Sequence, residues 1–351
     1  MFHLLQQYTT ESVTAGHPDK VCDQVSDAIL DAIIKEDATG RVAVECLGSH
    51  GTFLIGGEVT TRASVDYEKI ARNVYDSIGY DNGDLEVLVR VAQQSPDIAL
   101  GVDKEGAGDQ GIMYGYATDE TPEYLPLGVV LSHKLARTLE KLRRDGVFAW
   151  LKPDGKSQVT VSNGAGVVTA LVSTQHAEDV SQAEIREGLT ERLFKPTLGS
   201  IEGVEILVNP TGKFVIGGFT ADAGLTGRKI QVDTYGGLVP HGGGCFSGKD
   251  PTKVDRSAAY MCRFVAKNLV ANGYGKKVLV SVAYAIGRAE PVMVEAYDES
   301  GKNLTDVVSK FDFRPRAIIE RLDLRKPIYK ETAAYGHFGV DGRPWEQVEK
   351  M

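Results

Sequence analysis

Three ionisable side chains crowd into one short turn near the start of the chain. The stretch TAGHPDK contains His17, Asp19 and Lys20, and a segment of helical periodicity follows it. Because Pro18 is tolerated in the first turn of a helix, the sequence predicts a helix from Asp19 to Lys35. A His-Pro-Asp turn can serve as a helix cap, and it can equally place a carboxylate beside a metal-bound phosphate.

The most specific stretch of the chain is glycine-rich and runs from His241 to Asp255, HGGGCFSGKDPTKVD. Its glycines let backbone N–H groups approach an anion, and the predicted helix that follows adds a favourable field at its N-terminus. Lys249 and Lys253 supply positive charge. The order Gly-x-x-x-x-Gly-Lys approaches a P-loop, but Asp250 stands where a P-loop needs Ser or Thr for Mg²⁺. The stretch therefore predicts a triphosphate-binding loop whose match to a P-loop is a near miss.

Other charged residues are ambiguous when each is considered alone. Arg228 and Lys229 have the pattern of solvated charges at the entrance of a strand, KIQVDTY. Together with the two lysines of the glycine-rich stretch they are interpreted as phosphate ligands. The guanidinium of Arg228 offers a planar fork of N–H donors, and the ammonium of Lys229 offers a compact positive charge. Lys156 in LKPDGKSQVT is ordinarily a strand flank, and Asp109 in GAGDQG is ordinarily a turn residue.

Two aspartates occupy equivalent positions near the starts of predicted helices, Asp19 and Asp255. A nucleoside triphosphate brings Mg²⁺, which takes hard oxygen ligands, usually one or two carboxylates together with the phosphates. Each of the two aspartates is therefore predicted to hold one Mg²⁺. Asp23, Asp27 and Asp31 recur every four residues and are interpreted as the solvent-facing, or wet, face of an amphipathic helix, not as a row of metal ligands.

The composition excludes several classes of protein. The 351 residues carry a formal net charge of −9, which argues against binding of nucleic acid or of an anionic membrane. No apolar run reaches the roughly 18 residues of a membrane span, and the N-terminal stretch has no basic region ahead of an apolar one. The four cysteines lie far apart without a C-x-x-C pair, so we expect a reducing cytoplasm and no zinc site.

A helix followed by a β-hairpin recurs three times along the chain. The hairpins are predicted to start near Val42, Val159 and Val278, at nearly equal intervals that suit three similar domains. Strands follow the first two repeats, in LEVLVRV and VEILVNP. Each hairpin is also followed by a further helical pattern, predicted at Tyr67 to Ile78, Gln182 to Leu193 and Arg316 to Leu322. The chain is predicted to be a three-part α+β protein.

Five motifs in this order, GHPDK, GAGDQG, KSQVT, GLTGRK and HGGGCFSGKD, resemble those of the S-adenosylmethionine synthetase (methionine adenosyltransferase) family. The resemblance spans nearly the whole chain, from ESVTAGHPDKVCDQVSDAILDA to YGHFG. It implies three similar α+β domains with pseudo-threefold symmetry. We expect an N-terminal domain over 1–100, a mobile-loop remainder over 101–108, a central domain over 109–230 and a C-terminal domain over 231–351, with segments that interleave between domains.

The resemblance also implies a reaction and an assembly. Methionine sulfur attacks C5′ of ATP, and the released triphosphate is hydrolysed to pyrophosphate and phosphate before S-adenosylmethionine leaves. The implied cofactors are two Mg²⁺ and one K⁺ per site, and the implied assembly is a homodimer with shared sites that often pairs into a homotetramer. Because a neutral thioether needs no general base, catalysis is expected to depend on cations around the leaving triphosphate.

Residue by residue, the resemblance assigns His17 to the C5′–O side of the triphosphate. The implied catalytic positions are His17, Lys156, Arg228, Lys249 and Lys253. The implied ATP-binding positions are His17, Asp154, Gly155, Lys156, Lys213, Phe214, Asp222, Arg228, Lys229, Cys245 and Lys249. The implied methionine-binding positions are Glu58, Gln94, Asp222, Lys253 and Ile286. Asp109 is a further implied site position, and the implied metal ligands are Asp19 and Asp255 for Mg²⁺ and Glu45 for K⁺.

Two features depart from the family pattern. The segment from Ser95 to Gly108, which corresponds to the family's mobile active-site loop, is shorter than in the common bacterial form. Cys245 occupies a position that is often alanine, and it is interpreted as a small buried hydrophobe, with a lowered thiol pKa as the alternative. The flexible-loop positions are Ser95, Pro96, Asp97, Ile98, Ala99, Leu100, Gly101, Val102 and Asp103.

Two other functions stay open at this point. One is a P-loop-like NTPase, for which the missing Ser or Thr and the absence of alternating βαβ units are unfavourable. The other is a catalytically inactive ATP-binding regulator of the same fold, since a fold by itself does not establish a function.

Overall fold

The computed structural model of the protein describes residues 6–93 and 106–351. The strands within these ranges are β1 (Gln7–Val13), β2 (Arg41–Ser49), β3 (Thr52–Thr60), β4 (Glu86–Ala92), β5 (Gly111–Thr118), β6 (Leu151–Ser162), β7 (Gly166–His176), β8 (Glu205–Val208), β9 (Gly224–Leu225), β10 (Lys277–Tyr284) and β11 (Met293–Asp298). The α-helices are α1 (Pro18–Glu36), α2 (Tyr67–Ile78), α3 (Leu127–Arg144), α4 (Gln182–Leu189), α5 (Lys195–Leu198), α6 (Ile230–Asp233), α7 (Val254–Ala271), α8 (Thr305–Val308) and α9 (Pro315–Arg321).

The strands form three sheets, and each sheet contains one antiparallel hairpin. The first sheet has the order β4-β3-β2-β9, the second β1-β6-β7-β8 and the third β11-β10-β5. The hairpins are β2 with β3, β6 with β7, and β10 with β11. The long helices α1, α3 and α7 pack on the first, second and third sheets. The predicted three-part α+β fold, with its repeated helix and hairpin, is confirmed.

Strands distant in sequence complete these sheets. β5 pairs with β10, and β9 lies against β2. β1 is antiparallel to β6, with Val13 opposite Lys156 at the end of the pairing. The N–H of Thr14 then donates to the carbonyl of Gly155 at 2.9 Å. This pairing brings the turn before α1 beside the start of β6.

The predicted helices lie close to the observed ones. α1 begins one residue before the predicted start and ends at Glu36, and α2 has the predicted bounds. The helix predicted from Gln182 to Leu193 is α4 followed by a π-helical turn, Thr190–Phe194. The predicted strand in KIQVDTY is wrong, because Ile230–Asp233 is the short helix α6. Burial of Val232 and Asp233, which are adjacent, shows that alternation of buried and exposed positions is lost there.

The wet face predicted on α1 is also wrong. Asp23 and Asp27 have 0% exposed surface, and Asp31 is half-buried. Residues from the loop that follows β9 and from two later segments lie against this face and donate backbone N–H groups to the carboxylates. Carboxylates that accept such bonds and pair with cations can be buried, which the polar pattern of the helix does not reveal.

Two apolar cores lie under the sheets. One contains residues of α1, α2, α7 and the first and third sheets, and the other fills the space between the second sheet, α3 and α4. Of the helices in the described part of the chain, none has the length and apolar character that crossing a bilayer requires.

Candidate functional site

The first cluster of predicted site residues lies at the start of α1. His17 caps the helix, and its Nδ1 accepts the N–H of Asp19 at 3.2 Å. The carboxylate of Asp19 accepts the N–H of Leu225 at 3.0 Å and the Nζ of Lys229 at 2.6 Å. Arg228 Nε lies 3.6 Å from the same carboxylate. The structure therefore brings the GHPDK and GLTGRK motifs into direct contact.

Burial controls the electrostatics of this first cluster. Burial and then the positive charge of Lys229 lower the pKa of His17 to about 3, so its imidazole is neutral at physiological pH. Burial opposes ionisation of Asp19, but hydrogen bonds from Lys229 and from Leu225 outweigh it and hold the pKa of Asp19 below its ordinary value. The cluster thus combines a neutral imidazole, a carboxylate and two cations.

The start of β6 extends this first cluster. Asp154 is buried, and its Oδ2 accepts the N–H of Gly218 at 2.9 Å. Its Oδ1 is buried too and has no hydrogen-bond partner within the ranges that the structure describes. Burial, opposed by the Gly218 N–H and by Lys156, raises the pKa of Asp154 to about 6. The charge of Lys156 also contributes to the low pKa of His17, so the two side chains are near neighbours.

The second cluster lies at the glycine-rich loop before α7. Lys249 Nζ donates to Asp255 Oδ2 at 2.6 Å, and Lys253 Nζ donates to Asp250 Oδ2 at 2.5 Å. The loop continues the first sheet, since Lys249 bridges to Ala43 of β2. Burial disfavours the charge on Lys249, but Cys245, Asp255 and Glu45 outweigh burial and raise its pKa. These residues therefore form a second cation–carboxylate cluster.

Cys245 lies where the two clusters meet. A Cβ at Gly227, the residue before Arg228, would be only 2.5 Å from the Cβ of Cys245. Burial, opposed by Lys249, raises the pKa of the Cys245 thiol above its ordinary value of 9.0. The lowered pKa considered as an alternative is therefore wrong, because desolvation exceeds the effect of the nearby ammonium.

A thiol reagent is expected to inactivate the protein slowly at pH 7 and faster as pH rises, because little Cys245 is thiolate below its raised pKa. The other cysteines, Cys22, Cys46 and Cys262, are buried, whereas Cys245 is partly exposed. The rate of inactivation is measured from the activity that remains after timed exposure to iodoacetamide, with and without ATP. ATP should protect, and Cys245→Ala should resist. Rapid loss that ATP does not slow would contradict a place for Cys245 in the site.

Other predicted positions lie at the surface. Glu58 on β3, Asp109, Asp222 and Ile286 are exposed. Asp222 is near enough to Asp154 for its charge to raise the Asp154 pKa. Lys213 pairs with an exposed glutamate at 2.9 Å, and the backbone of Phe214 exchanges hydrogen bonds with His176. Gln94 and the loop positions Ser95 to Asp103 lie outside the described residues.

Lys20 has a role that sequence reasoning missed. Its side chain is fully buried, 3.0 Å from Asp23 Oδ2 and hydrogen-bonded to Asp233. These two carboxylates outweigh burial and raise the pKa of Lys20. Lys20 is thus the neutralising cation behind the first cluster. The available sequence feature was the four-residue period of the aspartates on α1, which was interpreted as a wet face.

The arrangement of the carboxylates determines which kind of metal site the protein could form. Across residues 6–93 and 106–351, no three His, Cys, Asp or Glu side chains gather as a metal-binding group. Asp19 and Asp255 each hold a lysine ammonium at 2.6 Å, so each already binds a cation through hard oxygen atoms. Such single carboxylates suit Mg²⁺ whose remaining ligands come from phosphates and water.

Two clusters of cations and carboxylates lie on a three-sheet α+β fold, and cations in such clusters suit a highly charged anion. Models of the three domains of S-adenosylmethionine synthetase match this chain in order: the N-terminal domain at 6–96, the central domain at 104–214 and the C-terminal domain at 216–347. The chain belongs to the S-adenosylmethionine synthetase family and is therefore a methionine adenosyltransferase. The resemblance seen in the motifs is confirmed.

Curated relatives agree with the domain matches. A protein of Pseudothermotoga lettingae named S-adenosylmethionine synthase is 52% identical over 383 residues, covering 98% of this chain and 97% of that protein. One of Staphylococcus epidermidis with the same name is 50% identical over 382 residues, covering 98% of this chain and 96% of that protein. These alignments are longer than the 351 residues of this chain, so the relatives contain insertions that it lacks.

Proposed function

We propose that this enzyme makes S-adenosylmethionine by direct attack of methionine sulfur on C5′ of ATP. The triphosphate leaves whole and is hydrolysed to pyrophosphate and phosphate before the product is released. The observation that supports this proposal best is the neutral, buried His17 held among Lys229, Asp19 and Lys156. A hydrogen-bond donor and fixed cations that are already in place stabilise the negative charge that develops on a polyphosphate leaving group.

The nucleophile needs little from the protein. A thioether sulfur carries no proton, so no general base has to act on it. Attack instead requires that sulfur be held in line with C5′, and orientation of this kind can supply a large share of the rate. Methionine would lie against Glu58, Gln94, Asp222, Lys253 and Ile286, as the family positions suggest.

In this proposal His17 would act on the bond that breaks. Its Nδ1 accepts the N–H of Asp19, so the proton of the neutral imidazole is assigned to Nε2. Nε2–H can then donate to the oxygen at C5′, which gains negative charge as the bond breaks. This hydrogen bond strengthens on the way to the transition state, which lowers the barrier without changing the charge of the histidine.

Cations of both clusters would stabilise the leaving triphosphate. Lys156, Arg228 and Lys229 contribute from the first cluster, and Lys249 and Lys253 from the second. Asp19 and Asp255 would each hold a Mg²⁺, and the exposed Glu45 would serve a K⁺ beside Lys249. When bound, these ions neutralise phosphate charge. The remaining ATP positions, Asp154, Gly155, Lys213, Phe214, Asp222 and Cys245, would surround the nucleotide.

We further propose a homodimer with shared sites, which pairs into a homotetramer in the cytoplasm. Leu47 shares a face of β2 with Glu45 and is 41% exposed, and Ile112 on β5 is 46% exposed. Exposed apolar residues beside the second cluster support an interface there. The described cysteines are free, which suits a reducing compartment. Size-exclusion chromatography with light scattering separates monomer, dimer and tetramer.

One assay tests the reaction against the two alternatives. The protein is incubated with ATP, Mg²⁺ and K⁺, with and without methionine, and S-adenosylmethionine, ADP and pyrophosphate are measured. We expect methionine-dependent product together with pyrophosphate and no ADP. ADP formed without methionine would favour an NTPase, and ATP binding without turnover would favour an inactive regulator. The short helix α6, where a P-loop protein has a strand before its loop, already weighs against the NTPase.

A further inference from the structure

We propose that Asp23 and Asp27 are positioning residues that hold the two cation-bearing loops at a fixed spacing on α1. This inference rests on the proposed function, since it concerns how the cations reach the triphosphate. Neither aspartate contacts the position of a substrate in this scheme. Each aspartate accepts a backbone N–H from a glycine that directly precedes cationic residues: Gly227 precedes Arg228 and Lys229, and Gly248 precedes Lys249.

Four aspartates, the aspartate row, lie one helical turn apart on one face of α1 and each accepts a backbone N–H from a distant segment. The bonds are Asp19 with Leu225 at 3.0 Å, Asp23 with Gly227 at 2.8 Å, Asp27 with Gly248 at 2.9 Å, and Asp31 with Tyr329 at 2.9 Å and Lys330 at 2.8 Å. Four residues of helix advance about 6 Å, so the row attaches these segments at regular steps.

Asp23 fixes the loop of the first cluster. Its Oδ1 accepts the N–H of Gly227, whose φ of +81° sets the turn into Arg228 and Lys229. Its other oxygen faces Lys20, which compensates the buried charge. An ion pair inside the protein therefore holds the acceptor in place.

Asp27 fixes the loop of the second cluster together with Arg256. The two form a bidentate, buried pair with distances of 2.7 and 2.8 Å. Asp27 accepts the N–H of Gly248, while Arg256 donates to the carbonyls of Phe246 at 2.9 Å and Lys249 at 3.2 Å. The backbone around Lys249 is thus held by both members of one ion pair.

A fixed spacing matters because a triphosphate carries negative charge on three phosphoryl groups, and the cations of both loops must meet those groups together. Electrostatic stabilisation is large only when the donors are already placed before the reaction begins. Buried ion pairs cost desolvation free energy, so they are poor devices for stability alone. Gly227 and Gly248, anchored on successive turns of one helix, give the two sets of cations a common reference.

The test compares Asp23→Ala with the matched control Asp31→Ala. Both remove one carboxylate of the aspartate row, but the segment that Asp31 anchors carries no residue of the proposed site. Binding of inorganic tripolyphosphate with Mg²⁺ is measured by calorimetry, with kcat and the melting temperature for each variant. We expect Asp23→Ala to weaken tripolyphosphate binding by between about tenfold and 100-fold and to lower kcat, because a small misplacement of charged groups is costly. Asp31→Ala should bind within about twofold of wild type, although its melting temperature falls.

Different outcomes separate the inference from the proposed function. Wild type that does not bind tripolyphosphate overturns both. Wild type that binds, with Asp23→Ala unchanged or Asp31→Ala equally impaired, overturns the inference alone. If Asp23→Ala does not fold, Asp23→Asn retains an acceptor, and intermediate binding is expected. Hydrogen exchange of wild type tests both aspartates without substitution: the Gly227 and Gly248 amides should be protected without ligand, and rapid exchange at either amide contradicts the anchoring of that loop.

Discussion

Glu346→Gln should lower the free energy of unfolding by about 3–5 kcal/mol, the usual result of removing one partner from a buried ion pair. The Glu346 carboxylate accepts hydrogen bonds from Arg263 Nε at 2.9 Å, from Arg263 Nη2 at 2.8 Å and from Lys267 Nζ at 2.9 Å. Neither Arg263 nor Lys267 is more than 4% exposed. The amide leaves both cations of α7 without a buried negative charge, so the C-terminal segment should detach more easily.

Urea denaturation at one protein concentration measures this loss, and Glu349→Gln is the matched control. Glu349 pairs with Arg321 at 2.5 Å, but the two side chains are 50% and 38% exposed, so the control should change stability by less than about 1 kcal/mol. Burial opposes ionisation of Glu346, yet Arg263 and Lys267 lower its pKa below 4.5. Its contribution is therefore present above pH 4.5 and lost as pH falls through the depressed value. Equal losses in both variants would contradict this account.

The regular elements of the fold could be predicted because local pattern determines them. Alternation of apolar and polar residues predicted the three hairpins, and the helical period predicted the bounds of α2. These patterns are reliable because each element packs one apolar face against a core. The strand predicted in KIQVDTY is wrong because its apolar residues alternate, as in a strand, whereas residues 230–233 form the short helix α6. Asp233, at the end of that stretch, is drawn inward by Lys20, a contact that no local pattern contains.

The same limit applies to the candidate site. The cationic motifs were visible because their residue types are unusual in an acidic chain, and the structure joins GHPDK to GLTGRK. The aspartate row was not recognised, because its partners lie about 200 to 300 residues later and are backbone N–H groups that carry no sequence information. The role of Lys20 could not be predicted for the same reason, since its partner Asp233 is distant in sequence.

His17→Asn should lower kcat by about 10²- to 10³-fold while the KM for ATP changes by no more than about threefold. Removing one donor from a developing oxyanion typically has an effect of this size. Asparagine is a good N-cap, so it can keep the bond to the Asp19 N–H and the start of α1. It has no Nε2–H at the place where the imidazole would meet the C5′ oxygen. Steady-state kinetics with ATP and methionine measure both constants.

The pH dependence of the same variant distinguishes a neutral donor from a charged one. Because the pKa of His17 is about 3, wild type should show no change in kcat from this residue between pH 5 and 9, and the loss in His17→Asn should be constant there. His50→Asn is the control: His50 is exposed, bonds Ser49 at 2.8 Å, and has a φ of +45°, which asparagine tolerates. An unchanged kcat in His17→Asn would remove the proposed role, and a loss confined to low pH would assign the effect to an imidazolium. The donor is held neutral by burial and by Lys229, so the cations that bind the leaving group also keep the histidine in the form that the reaction needs.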